Sequence, residues 1–206
     1  MGHVSDTKER LLGTALDLIY ARSYAGVGVQ ELCEHARVKK GSFYHFFESK
    51  QDLVLAAIDR QWETGRARIF DVAFAKQLPP LARIERCFDL FYEFQCATKA
   101  ETGKVQGCPF GNLALELSTQ DRVIRQKVDR IFGEMMTYVE GALRDAVAAG
   151  DIPEQDVSRT AKALIAYKQG VMLLAKTRND PEVMRELRGE FLRHLVGGKA
   201  SLAGKR

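Results

Sequence analysis

Apolar residues recur every three to four positions along most of this 206-residue chain, and that spacing places them on one face of an α-helix. Leu11, Leu12, Ala15 and Leu16 set the pattern near the start, and later segments repeat it. No segment alternates apolar and polar residues with the two-residue period of a β-strand. The sequence therefore predicts an all-α fold of about nine helices.

Capping residues and polar stretches predict where the helices begin and end. Asp6 with Glu9, and Ser49 with Asp52, have the spacing of capping boxes, so we expect them to begin the first and fourth helices. The fourth helix is expected to run to about Ala75. Residues 97–106 are polar and are predicted to form a loop after the fifth helix.

Composition limits what the chain can do. Its 46% apolar content can fill a core, and its four cysteines lack metal-ligand spacing. The four histidines form no ligand-spaced pair, and no nucleophile-elbow motif or glycine-rich phosphate loop occurs. We therefore expect a protein that is not an enzyme and uses no cofactor or metal. The apolar runs are too short for a membrane span, which predicts a cytoplasmic protein with reduced thiols and no membrane partner.

Residues 29–47 predict two short helices joined by a turn, which is the layout of a helix-turn-helix. In the second of them Phe43, Phe46 and Phe47 fall on one side at helical spacing. A helix this short is not stable alone in water. We expect the three phenylalanines to anchor it against the first and fourth helices.

The other side of that helix is cationic and polar. Between Arg37 and Lys50 there are four cations, and Glu48 is the only acidic residue among them. Lys39 and Lys40 suit DNA phosphates, while serine and histidine side chains suit base edges. The complete predicted DNA-binding set is Val29, Gln30, Arg37, Lys39, Lys40, Gly41, Ser42, Tyr44, His45 and Lys50. The alternative interpretation is a solvated charged surface over an ordinary aromatic core.

The segment V-x-E-L-C-E-H-A-R-V-K-K-G-S-F-Y-H-F-F-E-S-K-Q-D-L, residues 29–53, resembles the DNA-binding segment of the TetR family of transcriptional repressors. The resemblance implies a homodimer that binds a palindromic DNA operator and responds to a small-molecule effector. It implies a recognition helix containing Lys40, Gly41, Tyr44 and His45, and a phosphate contact from Lys50. A helical protein-interaction adaptor without DNA binding is the alternative function.

The same resemblance, with the layout of the helices, suggests three regions. Residues 1–50 are expected to form the DNA-binding domain, residues 51–197 the effector-binding and dimerisation domain, and residues 198–206 a disordered tail. The chain departs from the family pattern at Arg37, where glycine or asparagine is common, and at Gly28, which offers no capping hydroxyl. A positive φ at Arg37 would cost about 1 kcal/mol.

The eighth predicted helix is apolar almost all round its axis, so it has to be covered on more than one side. One side is expected to meet the core of its own chain and another a second copy, in a symmetric arrangement of the eighth and ninth helices. The predicted dimer-interface residues are Ala166, Gly170, Leu173, Leu174, Leu187 and Phe191.

Aromatic residues and a methionine in the same body suggest an effector pocket. The predicted ligand-binding residues are Trp62, Phe88, Phe91, Cys108, Phe110, Asn112, Phe132, Met136 and Tyr167. An ordinary aromatic core accounts for each of them equally well. The identity of the effector cannot be read from these residues, and neither can the operator sequence.

Cys108 stands just before a predicted helix start, where free N–H groups favour a thiolate, and the polar loop before it is expected to allow access. The segment G-C-P-F-G-N-L-A resembles the electrophile-sensing and acrylate-responsive branch of the TetR family. Modification or ligand contact at Cys108 is expected to shift the sixth helix and then the fourth. The alternative is a small packed side chain without reactivity.

Overall fold

The computed structural model describes residues 2–22 and 24–190, and every regular element among them is a helix. The elements are α1 (Gly2–Arg22), α2 (Val29–His35), α3 (Lys40–Phe46), α4 (Lys50–Gly65), a π-helical segment (Arg66–Phe70), α5 (Asp71–Ala73), α6 (Pro80–Thr102), α7 (Pro109–Leu117), α8 (Arg122–Ala149), α9 (Val157–Arg178) and α10 (Glu182–Leu187). The predicted all-α fold is confirmed. Phe191 and the tail at residues 198–206 lie outside the described residues.

The segments from Lys50 to Ala73 follow one another without an intervening residue. Counted as one helix, they bring the described residues to the predicted number of nine, and they end two residues before the expected Ala75. Ser49 caps this helix as predicted, because its Oγ accepts the Asp52 backbone N–H at 3.1 Å. The Asp52 carboxylate accepts the backbone N–H of Glu48 at 3.3 Å.

Two predicted boundaries are wrong. The first helix begins at Gly2, so Asp6 lies inside it and pairs with Arg10 one turn later at 3.4 Å. The fifth helix, α6, continues through the first six residues of the predicted loop and ends at Thr102. Thr102 donates its hydroxyl to the Thr98 carbonyl one turn back, and Gly103 ends the helix with a φ of 76°.

The described residues fall into two compact units, and the first contains α1 to α4 together with residues 109–129. Its core is built from side chains with no exposed surface on all four helices, among them Leu11, Leu32, Phe43 and Leu53. Burial of such side chains stabilises each helix by about 1.5–3 kcal/mol per large apolar residue. Short helices such as α2 and α3 are held mainly by this packing.

Two polar contacts fasten residues 109–129 within this first unit. Glu116 on α7 accepts the backbone N–H of Ala25 at 3.2 Å. Gln51 in the first turn of α4 donates to the carboxylate of Asp121 at 2.6 Å. Asp121 also caps α8, and the backbone and side-chain hydrogen bonds it accepts hold the pKa of its carboxyl below the usual value despite partial burial.

The second unit contains residues 66–108 and the described residues after 129. Polar side chains in this unit hydrogen-bond to the backbone of the irregular segment between α5 and α6. Arg83 on α6 is buried and donates to the carbonyl oxygens of Leu78 and Lys76. It also pairs with Asp145 on α8, and Lys76 pairs with the same carboxylate at 2.9 Å. These cations keep the pKa of Asp145 below its ordinary value, Lys76 contributing most.

The C-terminal described helix, α10, packs on α6 and α9 within the second unit. Val183 and Met184 are buried there, and Tyr167 on α9 donates its hydroxyl to the carbonyl of Leu187 at 2.8 Å. None of the described helices combines the length and the apolar character needed to cross a membrane.

Candidate nucleic-acid interface and effector site

The turn between α2 and α3 is set by Arg37, whose φ is 53°. Arg37 donates its N–H to Glu34 and Val38 donates to Cys33, which is the pair of hydrogen bonds of a Schellman motif. Arg37 thus has the positive φ whose cost the sequence analysis considered. A non-glycine residue carries backbone strain in this region, so the turn geometry is kept at an energetic cost.

The helix α3 has one buried and one exposed side, as its spacing predicts. Phe43 has no exposed surface and Phe47 has 5%, while Phe46 packs at the edge of the core. Tyr44 is 53% exposed on the other side, and its ring meets Phe43 edge to face at 5.1 Å. The apolar rings thus hold the helix from behind and leave its cationic side open to solvent.

Most of the predicted DNA-binding side chains are accessible. The exposed members are Gln30, Arg37, Lys39, Lys40, Gly41, Tyr44 and His45, and the partly buried members are Val29, Ser42 and Lys50. Val29 packs against the core of the first unit. The surface therefore presents lysine, arginine, tyrosine and histidine around one short helix, which suits a DNA major groove and its phosphates.

Lys50 has a second role that the sequence did not reveal. Its ammonium donates to the carbonyl oxygens of Tyr24 at 2.9 Å and Val27 at 3.0 Å, and it lies 4.0 Å from the centre of the Tyr24 ring. Desolvation lowers the pKa of Lys50 from its ordinary value. These carbonyls lie just before α2, whose N-cap Gly28 has no capping side chain. Lys50 therefore holds the start of α2, and its phosphate contact stays a prediction.

The predicted ligand-binding residues are divided between the two units. Trp62, Phe110 and Asn112 belong to the first, where the Trp62 and Phe110 rings meet edge to face at 6.1 Å. The others belong to the second, where Phe88 and Tyr167 lie 6.5 Å apart. Trp62, Phe88, Phe91, Cys108 and Phe110 are buried, and Asn112, Phe132, Met136 and Tyr167 are partly buried.

Cys108 is 5% exposed, so the prediction of an accessible thiol is wrong for this conformation. The segment before it is held by hydrogen bonds and is not an open loop. The buried Gln95 accepts the N–H groups of Gln106 and Gly107 at 3.1 Å and donates to the Gly107 carbonyl at 3.0 Å. Gln169 on α9 donates to the Cys108 sulfur at 3.4 Å.

A surface pocket of about 490 Å³ lies in the second unit. Its walls are Arg66, Phe74, Lys76, Arg83, Glu134, Thr137, Tyr138, Gly141 and Ala142. None of them belongs to the predicted ligand-binding set. The cations at this pocket have partners in the same chain, because Arg66 pairs with Asp71 at 2.9 Å and Arg83 with Asp145.

The sequence analysis also missed Lys168 on α9, which is 3% exposed. A signal was available, because Leu164 and Met172 stand four residues to either side and place position 168 on the buried face. By contrast, the predicted interface residues Ala166, Gly170, Leu173 and Leu174 lie on an exposed side of α9, and Leu187 on α10 is partly buried. In the part of the chain that the structure describes, no cluster of acidic, histidine or cysteine side chains could hold a metal.

An exposed cationic recognition helix and a separate helical body define a DNA-binding transcriptional regulator of the helix-turn-helix class. The family description "Bacterial regulatory proteins, tetR family" matches residues 11–57, and "Tetracyclin repressor-like, C-terminal domain" matches residues 80–191. The chain belongs to the TetR family of transcriptional regulators, with an N-terminal DNA-binding domain and a C-terminal ligand-binding domain.

Relatives support this assignment along most of the chain. The transcriptional regulator AcuR of Cereibacter sphaeroides is 32% identical over 190 residues, which cover 91% of this chain and 84% of that protein. The repressor NemR of Escherichia coli is 29% identical over 125 residues, 61% of each protein. The crystal structure of a TetR regulatory protein from Rhodobacter sphaeroides superposes with a TM-score of 0.78 at 32% identity, covering 91% and 98% of the two chains.

Proposed function

We propose that the protein is a homodimeric repressor that binds an inverted-repeat operator in the cytoplasm and releases it when an effector acts on the C-terminal domain. The single observation that carries this proposal is the exposed side of α3, with Tyr44 open to solvent and Phe43 fully buried behind it. Regulator relatives such as NemR, whose name describes a repressor, support repression over activation. Family membership favours this function over an adaptor without DNA binding.

The exposed side of α9 supports the proposed dimer. Leu173 is 51% exposed and Leu174 is 46% exposed, and Gly170 and Ala166 continue the same exposed side toward the start of the helix. Apolar side chains grouped on one helix face are typical of a surface that another copy covers. We propose that two copies pair through α9 and α10, so that two recognition helices read half-sites about one DNA turn apart.

The proposed route from effector to DNA passes through α7. Cys108 immediately precedes α7, and Phe110 on that helix contacts Trp62 on α4. Glu116 at the other end of α7 accepts the N–H of Ala25 in the turn before α2. A displacement of α7 would therefore disturb both α4 and the support of α2. Covalent modification of Cys108 by an electrophile, or ligand contact there, is the proposed trigger.

The experiment that tests the proposal is selection of the operator from random DNA duplexes. The full-length protein is expected to enrich an inverted repeat whose half-site centres lie about 10 base pairs or a multiple of that apart. Enrichment of no sequence, or of a single half-site without symmetry, would contradict the proposal. Tyr44→Ala serves as the matched variant, because it alters the proposed reading side and leaves the buried phenylalanines intact.

The salt dependence of DNA affinity distinguishes a DNA-binding regulator from a protein-interaction adaptor. Affinity for the selected duplex is expected to fall steeply between two salt concentrations, since each neutralised phosphate contributes about −0.9 to the slope of log K against log salt. Lys39→Met and Lys40→Met should each reduce that slope by about one unit if these lysines contact phosphates. An adaptor would show no affinity for duplex DNA at either concentration.

A further inference from the structure

The second unit contains a surface pocket of about 490 Å³ that has no part in the function proposed above. Its walls come from the π-helical segment, the residues between α5 and α6, α6 itself and α8, all of which belong to this unit. None of the predicted ligand-binding residues lines it. Small-molecule sites in proteins have volumes of about 300–1,000 Å³, so the pocket is large enough to hold a ligand.

Two aromatic side chains form the apolar surface of this pocket. Phe74 and Tyr138 are both partly buried, and their ring centroids lie 5.4 Å apart. The buried Phe70 contacts both rings, in a near-parallel stack with Phe74 at 6.2 Å and at 5.4 Å from Tyr138. The three rings therefore hold one another in place, and two of them offer an aromatic surface to a bound molecule.

Gly141 lies in the interior of α8 and lines the same pocket. A Cβ atom at this position would meet no other atom within 4 Å, so the packing of the chain does not require glycine here. Glycine destabilises the interior of a helix relative to alanine. The position therefore leaves space in the pocket at a cost in helix stability, beside Ala142, whose side chain is also small.

The charged side chains of the pocket walls all have partners of opposite charge in the same chain. The charged atoms are 3.6 Å apart or less, and the pairs are Arg66 with Asp71, Lys76 and Arg83 with Asp145, and Glu134 with Arg130. An ionised ligand would lose its hydration here without gaining an unpaired counter-ion. The pocket therefore favours a neutral ligand.

Two oxygen atoms on α8 can accept a hydrogen bond from such a ligand. Glu134 and Tyr138 are four residues apart, so their side chains are neighbours on one face of the helix. Tyr138 donates its own hydroxyl to Asp71 at 2.5 Å, and desolvation raises the pKa of this phenol, which keeps it neutral. A carboxylate has about four acceptor sites, so Glu134 can accept a hydrogen bond in addition to its ion pair.

We propose that this pocket binds a neutral two-ring aromatic compound that carries a hydroxyl group. The rings of the compound pack against Phe74 and Tyr138 in the space left by Gly141, and its hydroxyl donates to the carboxylate of Glu134. The inference goes beyond the proposed function, because it adds a small-molecule site that does not include Cys108.

The first test measures binding by calorimetry on the full-length protein without DNA. The probes are 2-naphthol and 4-phenylphenol, which are neutral at pH 7, and 2-naphthoate and 4-phenylbenzoate serve as anions of matched shape. Both phenols are expected to bind. Each anion should bind at least about tenfold more weakly than the phenol of the same shape, because its charge loses hydration without a free partner.

Two substitutions on α8 locate the site. Gly141→Leu fills the pocket and should lower the affinity for both phenols at least about tenfold. Its unliganded form should melt at or above the wild-type temperature, because leucine favours a helix more than glycine does and a Cβ meets no neighbour. Gly133→Leu is the matched control, since Gly133 has the same open surroundings but lies about 12 Å away along the helix and outside the pocket. This control should bind the phenols as the wild type does.

Two further substitutions test the contacts. Phe74→Leu keeps an apolar side chain but removes the ring, and it should lower the affinity for both phenols by about 3- to 10-fold. In the wild type, 2-methoxynaphthalene should bind more weakly than 2-naphthol, because it has no hydroxyl to donate. Glu134→Met should remove this difference, since the acceptor is lost.

The inference is overturned if neither phenol binds the wild type, if the anions bind as tightly as the phenols, or if Gly141→Leu binds the phenols unchanged. An equal loss of affinity in Gly141→Leu and Gly133→Leu would also overturn it, because the effect would then not come from the pocket. Since no DNA is present in these measurements, failure of this site leaves the proposed repressor to be judged by operator selection.

Discussion

The Lys50 ammonium lies 4.0 Å from the centre of the Tyr24 ring and donates to the Tyr24 carbonyl oxygen at 2.9 Å. The first residue of α4 thereby fixes the backbone just before α2, where Gly28 provides no side-chain cap. The lysine that the TetR resemblance assigns to a phosphate thus supports the helix-turn-helix in the absence of DNA. Its contributions to stability and to DNA affinity can be measured separately.

We expect Lys50→Met to lower the free energy of unfolding by about 1 kcal/mol, because two partly buried carbonyl oxygens lose a charged donor. Urea denaturation measures the change. Lys39→Met is the control, since Lys39 is exposed, and its stability should stay within about 0.5 kcal/mol of the wild type. Equal stability of Lys50→Met and the wild type would show that the observed contacts contribute nothing in solution.

The two neighbouring aromatic residues of α3 should give opposite results. Phe43→Ala is expected to destabilise the protein by about 3–5 kcal/mol, since it empties a fully buried site. Tyr44→Ala should fold with nearly unchanged stability and lose about tenfold in operator affinity, as one hydrogen bond to the duplex is removed. Thermal unfolding and fluorescence anisotropy measure the two effects. If Tyr44→Ala bound the operator as tightly as the wild type does, Tyr44 would not contribute to the DNA interface.

Arg37→Gly should stabilise the chain by about 0.5–1 kcal/mol, because glycine adopts the observed φ of 53° without strain. Its operator affinity should fall if the guanidinium lies near the DNA backbone. Lys39→Gly is the matched control, since the φ of Lys39 is −76° and glycine gains nothing there. Urea denaturation of both variants measures their free energies of unfolding. An Arg37→Gly protein that is less stable than the wild type would contradict the expectation.

The proposed dimer can be tested on α9. Replacing Leu173 and Leu174 together by glutamate should raise the dimer dissociation constant by at least about 100-fold, because two central apolar side chains become like charges across the symmetry axis. Sedimentation velocity gives the constant. Leu115→Glu on α7 is the control, since Leu115 is 77% exposed and lies outside the proposed interface. A dimer that survives the double substitution would place the interface elsewhere.

The proposed sensor role of Cys108 predicts two rates of maleimide labelling. Cys96 is partly exposed and should react first, whereas Cys108 should react more slowly because its side chain is buried. Release of the operator should follow the slower reaction, as measured by intact mass and anisotropy on the same samples. Cys96→Ser should keep the response and Cys108→Ser should lose it. Full release from Cys108→Ser would end the sensor hypothesis.

Local spacing predicted the features that depend on neighbours along the chain. The buried side of α3 follows from the helical period. The positive φ of Arg37 was raised only as a possibility, at a position where the TetR resemblance has glycine or asparagine. The length of α6 could not be predicted well, because residues 97–102 are polar and suggest a loop, yet they continue the helix. Propensity is a weak guide because tertiary context often overrides it.

Contacts between residues that are far apart in the sequence could not be predicted from the sequence alone. The carbonyl partners of Lys50 lie 23 and 26 residues away, and no periodicity brings them together. Cys108 is contacted by Gln169, which lies 61 residues further along the chain. Lys168 could have been found from its buried neighbours on α9, but its contacts with the Phe91 ring and the Met135 sulfur depend on the packing of α6 and α8 around it.

The amide of Gln95 makes three of the hydrogen bonds that hold the irregular segment before Cys108, and Asn179 makes two others. A helical scaffold is robust to mutation because many residues share its packing, whereas a segment held by so few side chains can change its course after a single substitution. Exchange of Gln95 for glutamate would remove the donor to Gly107 while keeping the size of the side chain. Divergence of response among homologous regulators can therefore begin at this position, with the surrounding helices unchanged.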